Sequence, residues 1–410
     1  MSKLSITIIS LNYAPEDTAI GLYSSQMAEY LVEQGWQVQV ICGFPYYPKW
    51  EIKADYKKRP KYLKETINGV EVFRYKQFVP KNPTFKARTI QIVDFTLGNL
   101  MNLNKIKKAD IVLSVIPFTS SAWLGNRLAK KINAKHWIHI QDFEFDAAFE
   151  SGLSSRNGWM KNVASSLFRL EKSILEKADL ISTISFGMLR QLETKTNKSN
   201  YYFPNWVDET FINPAHYSYH PFMNKDKFNI LYSGNIGGKQ DWNLFVKVLK
   251  EFESSDYVEF IIVGDGGSKS ELVSALESQK NVTFYEPVAY KELNNLLCSA
   301  DLHLLFQKQD VVDTVMPSKI LGMMASGKPS LVTGNKESEV KLAFDKSNGG
   351  VFVDNGSVND IANAINGYIS NPEQVKTHGE KARTYVTQNF TSEKILGNFA
   401  QRITQLVKNK

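Results

Sequence analysis

The chain opens on a near-continuous apolar run, Leu4–Leu11, and similar runs recur along it, each followed by apolar residues at helical spacing. A run with no polar alternation reads as a strand buried on both faces, and strands alternating with helices predict βαβ crossovers and a parallel sheet. The first series places strands at Leu4–Leu11, Trp36–Ile41, Val70–Arg74, Asp110–Val115, Lys135–Ile140 and Leu180–Thr183. Its helices fall at Leu22–Gln34, where Gly35 ends the pattern, at Ala87–Leu103, Ser120–Lys131 and Met160–Glu176, and from Gly187 onward. The alternation lapses across Phe203–Pro221, an irregular stretch punctuated by Pro204, Pro214 and Pro221. It restarts with strands at Phe228–Tyr232, Tyr257–Val263, Val282–Tyr285, Asp301–Phe306 and Val351–Val353, and helices between and after them. The prediction is α/β, with two doubly wound domains at 1–205 and 228–390 joined by a linker at 206–227. In such sheets ligands bind beyond the carboxyl ends of the strands, so the loops there are where chemistry is expected.

Composition narrows this. With 410 residues, 43% hydrophobic and 22% charged, the chain suits two globular cores. Cys42 and Cys298 stand far apart, which excludes a disulfide framework and fits a reducing, cytoplasmic setting. No apolar run approaches the roughly 18 residues of a membrane span, and the first apolar run reads as a strand rather than a signal peptide. His216 and His220 stand four apart in a Pro-rich stretch without a carboxylate motif, so no metal site is predicted.

Charge adds asymmetry. Met1–Asn205 carries 28 Lys+Arg against 18 Asp+Glu, and the remainder 21 against 24. The excess concentrates in Lys49–Arg88, with 12 basic and 4 acidic residues among Trp50, Tyr56, Tyr62, Phe73, Tyr75, Phe78 and Phe85. A basic, aromatic-rich surface suits anionic lipid headgroups, and no nucleic-acid motif accompanies it.

The densest candidate chemistry lies in Asp313–Thr333, DTVMPSKILGMMASGKPSLVT. Pro317 suits a first helical position, and Ser318 and Lys319 add a hydroxyl and an ammonium to the free N–H groups of that helix start. Two further post-strand loops are glycine-rich, Ser233–Lys239 and Gly264–Gly267, and glycines there let a ligand approach the backbone. Neither GNIGGK nor GDGG matches the dinucleotide fingerprint or the Walker pattern, which leaves a nucleoside diphosphate held by loops and a helix start.

The pieces ILYSGNIGGKQ, FIIVGDGG, NVTFYEPVAYKELNNLLCSADLHLL and MPSKILGMMASGKP, with FPNWVDETFINP and NYAPEDTAIG upstream, resemble the retaining, nucleotide-sugar-dependent glycosyltransferases of family 4. Pro317-Ser318-Lys319 and Gln141-Asp142-Phe143 are similar to the subgroup of colanic-acid, capsule and O-antigen transferases, which includes fucosyltransferases. The resemblance covers nearly the whole chain. It implies the GT-B fold: two Rossmann-like domains facing each other across a cleft, with the last helix, about 391–410, packing back on the first domain. It departs from the family at two points, with Asn235 in place of an arginine of the first glycine loop and Gly322 in place of a glutamate.

The resemblance implies donor contacts at Gly234, Asn235, Gly237, Lys239, Gly264, Gly266, Glu286, Pro287, Val288, Pro317, Ser318 and Lys319. Acceptor contacts fall to Gly21, Asp142, Glu144 and Ser185, with Asp142 and Lys239 as the catalytic pair. Retaining transfer passes through an oxocarbenium-like state with a departing diphosphate, which needs positive charge and N–H dipoles but no metal or other cofactor. The expected partners are a nucleotide-diphosphate sugar, GDP-fucose or a UDP-sugar, and a polyprenyl-diphosphate-linked acceptor. The protein is expected at the inner face of the plasma membrane, held by its basic N-terminal domain. The competing expectations are a nucleotide-sugar epimerase and a nucleotide-sugar-binding partner subunit without activity.

Overall fold

A computed structural model describes residues 4–144, 158–309, 318–354 and 356–408. The chain divides into two compact units, Met1–Pro204 with Leu396–Lys410, and Asn205–Ile395.

The first unit is built on β1 (Ser5–Ile9), β2 (Gln37–Gly43), β3 (Tyr62–Ile67), β4 (Val70–Tyr75), β5 (Ile111–Ile116), β6 (Lys135–Ile140), β7 (Leu180–Thr183) and β8 (Asn200–Tyr202). They form one sheet in the order β3-β4-β2-β1-β5-β6-β7-β8, parallel except for the β3–β4 pair. Every residue of β1 is buried, as its unbroken apolar run requires at the centre of a sheet covered on both faces. The helices are α1 (Ala19–Glu33), α2 (Ala54–Lys57), α3 (Phe85–Leu103), α4 (Thr119–Ile132), α5 (Gly158–Leu175) and α6 (Phe186–Lys195). The last helix of the chain, Ser392–Lys408, also contributes to this unit. Its Phe399 stacks on Phe203 with centroids 4.6 Å apart and meets the fully buried Trp137 edge-on at 5.1 Å.

The β3–β4 hairpin lies inside the basic segment expected to be surface. Its signal was Asn68-Gly69, both at positive φ (50° and 81°), the two-residue turn that suits a hairpin's twist. The alternation of YLKETI is that of a polar edge strand. The segment is therefore only partly surface. Phe73 and Tyr75 are core residues, and Arg74 is fully buried, donating to the Gly43 carbonyl at 2.9 Å and pairing with Glu65.

The second unit carries β9 (Phe228–Ser233), β10 (Val258–Val263), β11 (Val282–Tyr285), β12 (Leu302–Phe306), β13 (Ser330–Thr333) and β14 (Gly350–Val353). All are parallel, in the order β11-β10-β9-β12-β13-β14. Around them lie α7 (Trp242–Lys250), α8 (Lys269–Leu276), α9 (Leu293–Ser299), α10 (Ser318–Ala325), α11 (Glu339–Ser347), α12 (Val358–Ser370) and α13 (Pro372–Asn389). The Pro-punctuated stretch before β9 is packed into this unit. Ile212 and Met223 join its core, and Phe211 and Phe222 stack on Tyr290 and Tyr285 at 4.5 and 3.7 Å.

Candidate active site

In the second unit β9, β10 and β12 run parallel, so their following loops emerge at one edge of the sheet. The loops after β9 and β10 are bonded side by side. Gly234 N donates to Val263 O at 2.9 Å, Ile236 N to Asp265 O at 2.8 Å, and Ser268 N to Ile236 O at 3.0 Å. This contact is what two of the glycines serve. A Cβ on Gly264 would stand 2.0 Å from the Gly234 carbonyl oxygen; one on Gly266, at φ +155°, would stand 2.3 Å from that of Ile236. At these two positions the absent side chain admits neighbouring backbone, where the sequence suggested room for a ligand. Gly238 and Gly267, by contrast, face open space. We expect Gly264→Ala to cost about 2–4 kcal/mol, since backbone lies on the crowded side, while Gly267→Ala is nearly neutral. Urea unfolding of the two variants checks this.

Lys319 occupies the first turn of α10 and reaches back over β9. Its ammonium donates to the Tyr232 hydroxyl at 2.9 Å and lies 4.9 Å from the centre of that ring. The hydroxyl in turn donates to the Asn235 carbonyl at 2.7 Å. Gly234, at φ +140°, makes the space: a Cβ there would lie 2.9 Å from Lys319 Nζ. No carboxylate among the described residues pairs with this ammonium, and burial pulls its pKa down to about 8. A partly buried cation in the first turn of a helix, with no counter-ion among the described residues, is arranged for an anion. Tyr232 was not anticipated from the sequence. Its only signal was a tyrosine closing a strand just before Ser233-Gly234.

The other predicted donor residues are placed as follows. Ser318 opens α10, and Pro317 lies outside the described residues. Asn235 and Lys239 are exposed on the β9 loop, and a Cβ on Gly237 would meet the Asn235 amide at 2.6 Å. The Glu286 side chain, 78% exposed, pairs with Lys269 at 2.5 Å. Pro287 is exposed, and Val288 packs on the core of the unit. Gly322 lies one turn beyond Lys319, where a Cβ would face Leu297 at 3.3 Å.

In the first unit β6 ends at Ile140 and delivers Gln141, Asp142, Phe143 and Glu144 to the carboxyl edge of the sheet. Asp142 is partly exposed, and its carboxylate has no hydrogen-bond partner among the described residues. Glu144 is engaged: it accepts from Thr119 N at the start of α4, at 2.8 Å. Burial pushes its carboxyl up to about 7, against the pull of the Thr119 bonds and Arg88. His139 is a satisfied core residue. Gln141 Nε2 meets its Nε2 at 3.0 Å, so its Nδ1–H donates to Ser182 Oγ at 2.8 Å, and burial holds the ring neutral with a pKa near 3.

Two predicted acceptor residues also serve the local architecture. Ser185 caps α6, its Oγ accepting from Met188 N at 2.9 Å. Gly21 lies inside α1, where a Cβ would stand 2.8 Å from that of Glu16. Glu16 itself was missed in sequence. Buried, it accepts from the N–H groups of Tyr46 and Tyr47, both at 2.7 Å, and from Asn12 Nδ2 at 2.9 Å, clasping the loops after β1 and β2. A lone acid in a loop carried no signal for this.

Two doubly wound α/β units, the second with a cationic helix start at the carboxyl edge of its sheet, have the architecture of the GT-B fold. Solved structures of that shape superpose along the chain. Sucrose-phosphate synthase from Thermosynechococcus elongatus does so with a TM-score of 0.74 at 16% identity, covering 100% of both chains. HepE from Anabaena, solved with UDP and glucose, gives 0.68 at 13% identity, over 98% of this chain and 100% of that one. The family follows from sequence. The model for group 1 glycosyl transferases matches residues 220–385, and that for the glycosyl transferase 4-like domain matches 18–206. WcaI of Escherichia coli (strain K12), named for colanic acid biosynthesis glycosyl transfer, is 30% identical over 98% of this chain and 100% of its own. The chain belongs to this family of glycosyltransferases.

Proposed function

We propose that the chain moves a sugar from a nucleoside-diphosphate sugar, GDP-fucose or a UDP-sugar, with retention, to a lipid-linked oligosaccharide precursor of exopolysaccharide, capsule or O-antigen. The observation that carries the donor half is the Lys319 ammonium, held between Tyr232 and Gly234 with no carboxylate partner among the described residues. As the bond from the anomeric carbon to the diphosphate breaks, negative charge grows on the leaving oxygens. A preorganised cation and helix-start N–H groups stabilise that charge more than they stabilise the bound donor. Exposed Lys239 adds to this from the β9 loop, so the mechanism calls for no metal. Asp142, whose carboxylate has no partner among the described residues, orients the acceptor hydroxyl or takes its proton. The relationship to WcaI, with its colanic acid name, supports the polysaccharide setting, and HepE with UDP and glucose supports the donor class.

The test is a thermal-shift screen with UDP, GDP and ADP, then with their sugars, followed by transfer of labelled sugar into a lipid extract. At a ligand concentration of about 100 Kd the midpoint gains roughly 2.7 kcal/mol of stabilisation. No shift with any nucleotide sinks the donor reading. Label recovered as a free epimer, or transferred only when a second protein is added, replaces the proposal with the epimerase or the partner-subunit reading.

A further inference from the structure

Helix α3 carries apolar residues on both faces: Phe95 and Leu103 join the core, and a second set faces outward. Its protein-facing side carries three fully buried amides, Gln91, Asn99 and Asn102. Local bonds hold two of them, from Asn99 Nδ2 to the Phe95 carbonyl at 3.0 Å and from Asn102 Nδ2 to Asn99 Oδ1 at 2.8 Å. Gly98 lets the helix press onto the sheet, since a Cβ there would fall 2.1 Å from the Tyr75 ring. The opposite side is aliphatic. Ile90, Val93, Leu97 and Met101, spaced by three, four and four, form one stripe and are 49, 51, 60 and 58% exposed. Phe78 and Phe85, 45 and 56% exposed, lie just before and at the start of the helix. A water-facing helix carries its apolar residues inward; a contiguous outward stripe marks an interaction surface.

The charges around the stripe say what covers it. From Lys76 to Lys108 the basic residues are Lys76, Lys81, Lys86, Arg88, Lys105, Lys107 and Lys108, and the one acid is Asp94. Asp94 is turned to the protein, accepting from the Tyr75 hydroxyl at 2.8 Å and from Phe78 N at 2.6 Å. Lys86 stands one turn before Ile90 on the same face, and the exposed Lys105, Lys107 and Lys108 follow the other end. A second copy placed on this face would bring like charges together. A negatively charged bilayer would take the apolar stripe into its headgroup boundary and the lysines onto its phosphates.

We propose that the outer face of α3 docks this protein on an anionic phospholipid membrane. This deepens the reading above, in which the acceptor is lipid-linked, by naming the surface that brings the enzyme to it.

The experiment is co-sedimentation of the full chain with phosphatidylcholine vesicles, with and without about 30% phosphatidylglycerol. The wild type is expected to bind the mixed vesicles, and less so as salt is raised. Val93→Glu/Leu97→Glu should lower its partition coefficient about tenfold or more. Leu342→Glu, the same change at a 43% exposed residue of α11, should leave it unchanged. Lys107→Glu/Lys108→Glu gives a second, independent loss should the first variant misfold. Equal binding by wild type and both double variants overturns the proposal, as does no wild-type binding. So does light scattering that shows the Val93/Leu97 variant breaking a dimer while vesicle binding persists. Vesicle binding needs neither donor nor acceptor. A chain that binds vesicles and transfers nothing therefore refutes the functional reading alone, and one that transfers to a soluble acceptor without binding refutes this proposal alone.

Discussion

Replacing Lys319 by methionine is expected to lower kcat/KM for the sugar donor by about thirty- to 150-fold, because on the proposed reading its charge-assisted bond to the leaving diphosphate is worth about 2–3 kcal/mol. Methionine keeps most of the side-chain volume, so the loss reports charge. The same substitution is expected to raise, or leave unchanged, the stability of the ligand-free protein. The sign follows from the pKa, which falls from 10.5 in the unfolded chain to about 8 in the fold. The native state then holds fewer protons than the unfolded state between those values, so this group's contribution to stability rises with pH across that window. Below it, the charged form is kept at a desolvation cost that methionine removes. Donor binding has the opposite slope. A diphosphate favours the ammonium, so wild-type affinity for the nucleotide falls as pH rises through about 8, with proton uptake on binding. Calorimetric titration at several pH values checks both, and the slope should vanish in Lys319→Met. A variant that loses stability while keeping donor affinity would mean that Lys319 serves packing alone.

Asp142→Asn is expected to lower kcat by about 10²- to 10⁴-fold, the usual contribution of a positioned acid or base, with the donor KM little changed. The prediction rests on the contrast between neighbouring carboxylates. Glu144 is spent on Thr119 N, whereas Asp142 is partly exposed with its oxygens unengaged by any described residue. Removing its charge breaks no hydrogen bond among the described residues, so thermal stability should hold. Steady-state kinetics over a range of acceptor concentrations is the measurement. If kcat survives in Asp142→Asn and falls in Glu144→Gln, the roles of the two are exchanged.

Much of this molecule was legible in the chain. Strands such as β1 and β12, buried along their whole length, leave an apolar run, and helices between them leave a period of 3.6. The motifs around Lys319 and Asp142 fall in loops after such strands, so a topology argument alone puts each at a carboxyl edge. Less was legible where several distant segments share one job. The edge strand β3 has an ordinary polar sequence and becomes a strand by pairing with β4. Arg74 reads as part of a basic surface and is buried because Glu65 and the Gly43 carbonyl satisfy it.

The local pattern of apolar and glycine positions was enough to predict two α/β units and to put the candidate loops after strands, and the quoted motifs added the family resemblance, since periodicity and turn geometry are properties of neighbouring residues. Which glycines admit backbone, that Glu144 but not Asp142 is engaged among the described residues, that Tyr232 seats the Lys319 ammonium, and that α3 leaves an aliphatic stripe outward were settled in space. Each depends on a contact between residues far apart in the chain, as between Lys319 and Gly234 or Gly98 and Tyr75, and burial and hydrogen-bond satisfaction exist only once those contacts are made.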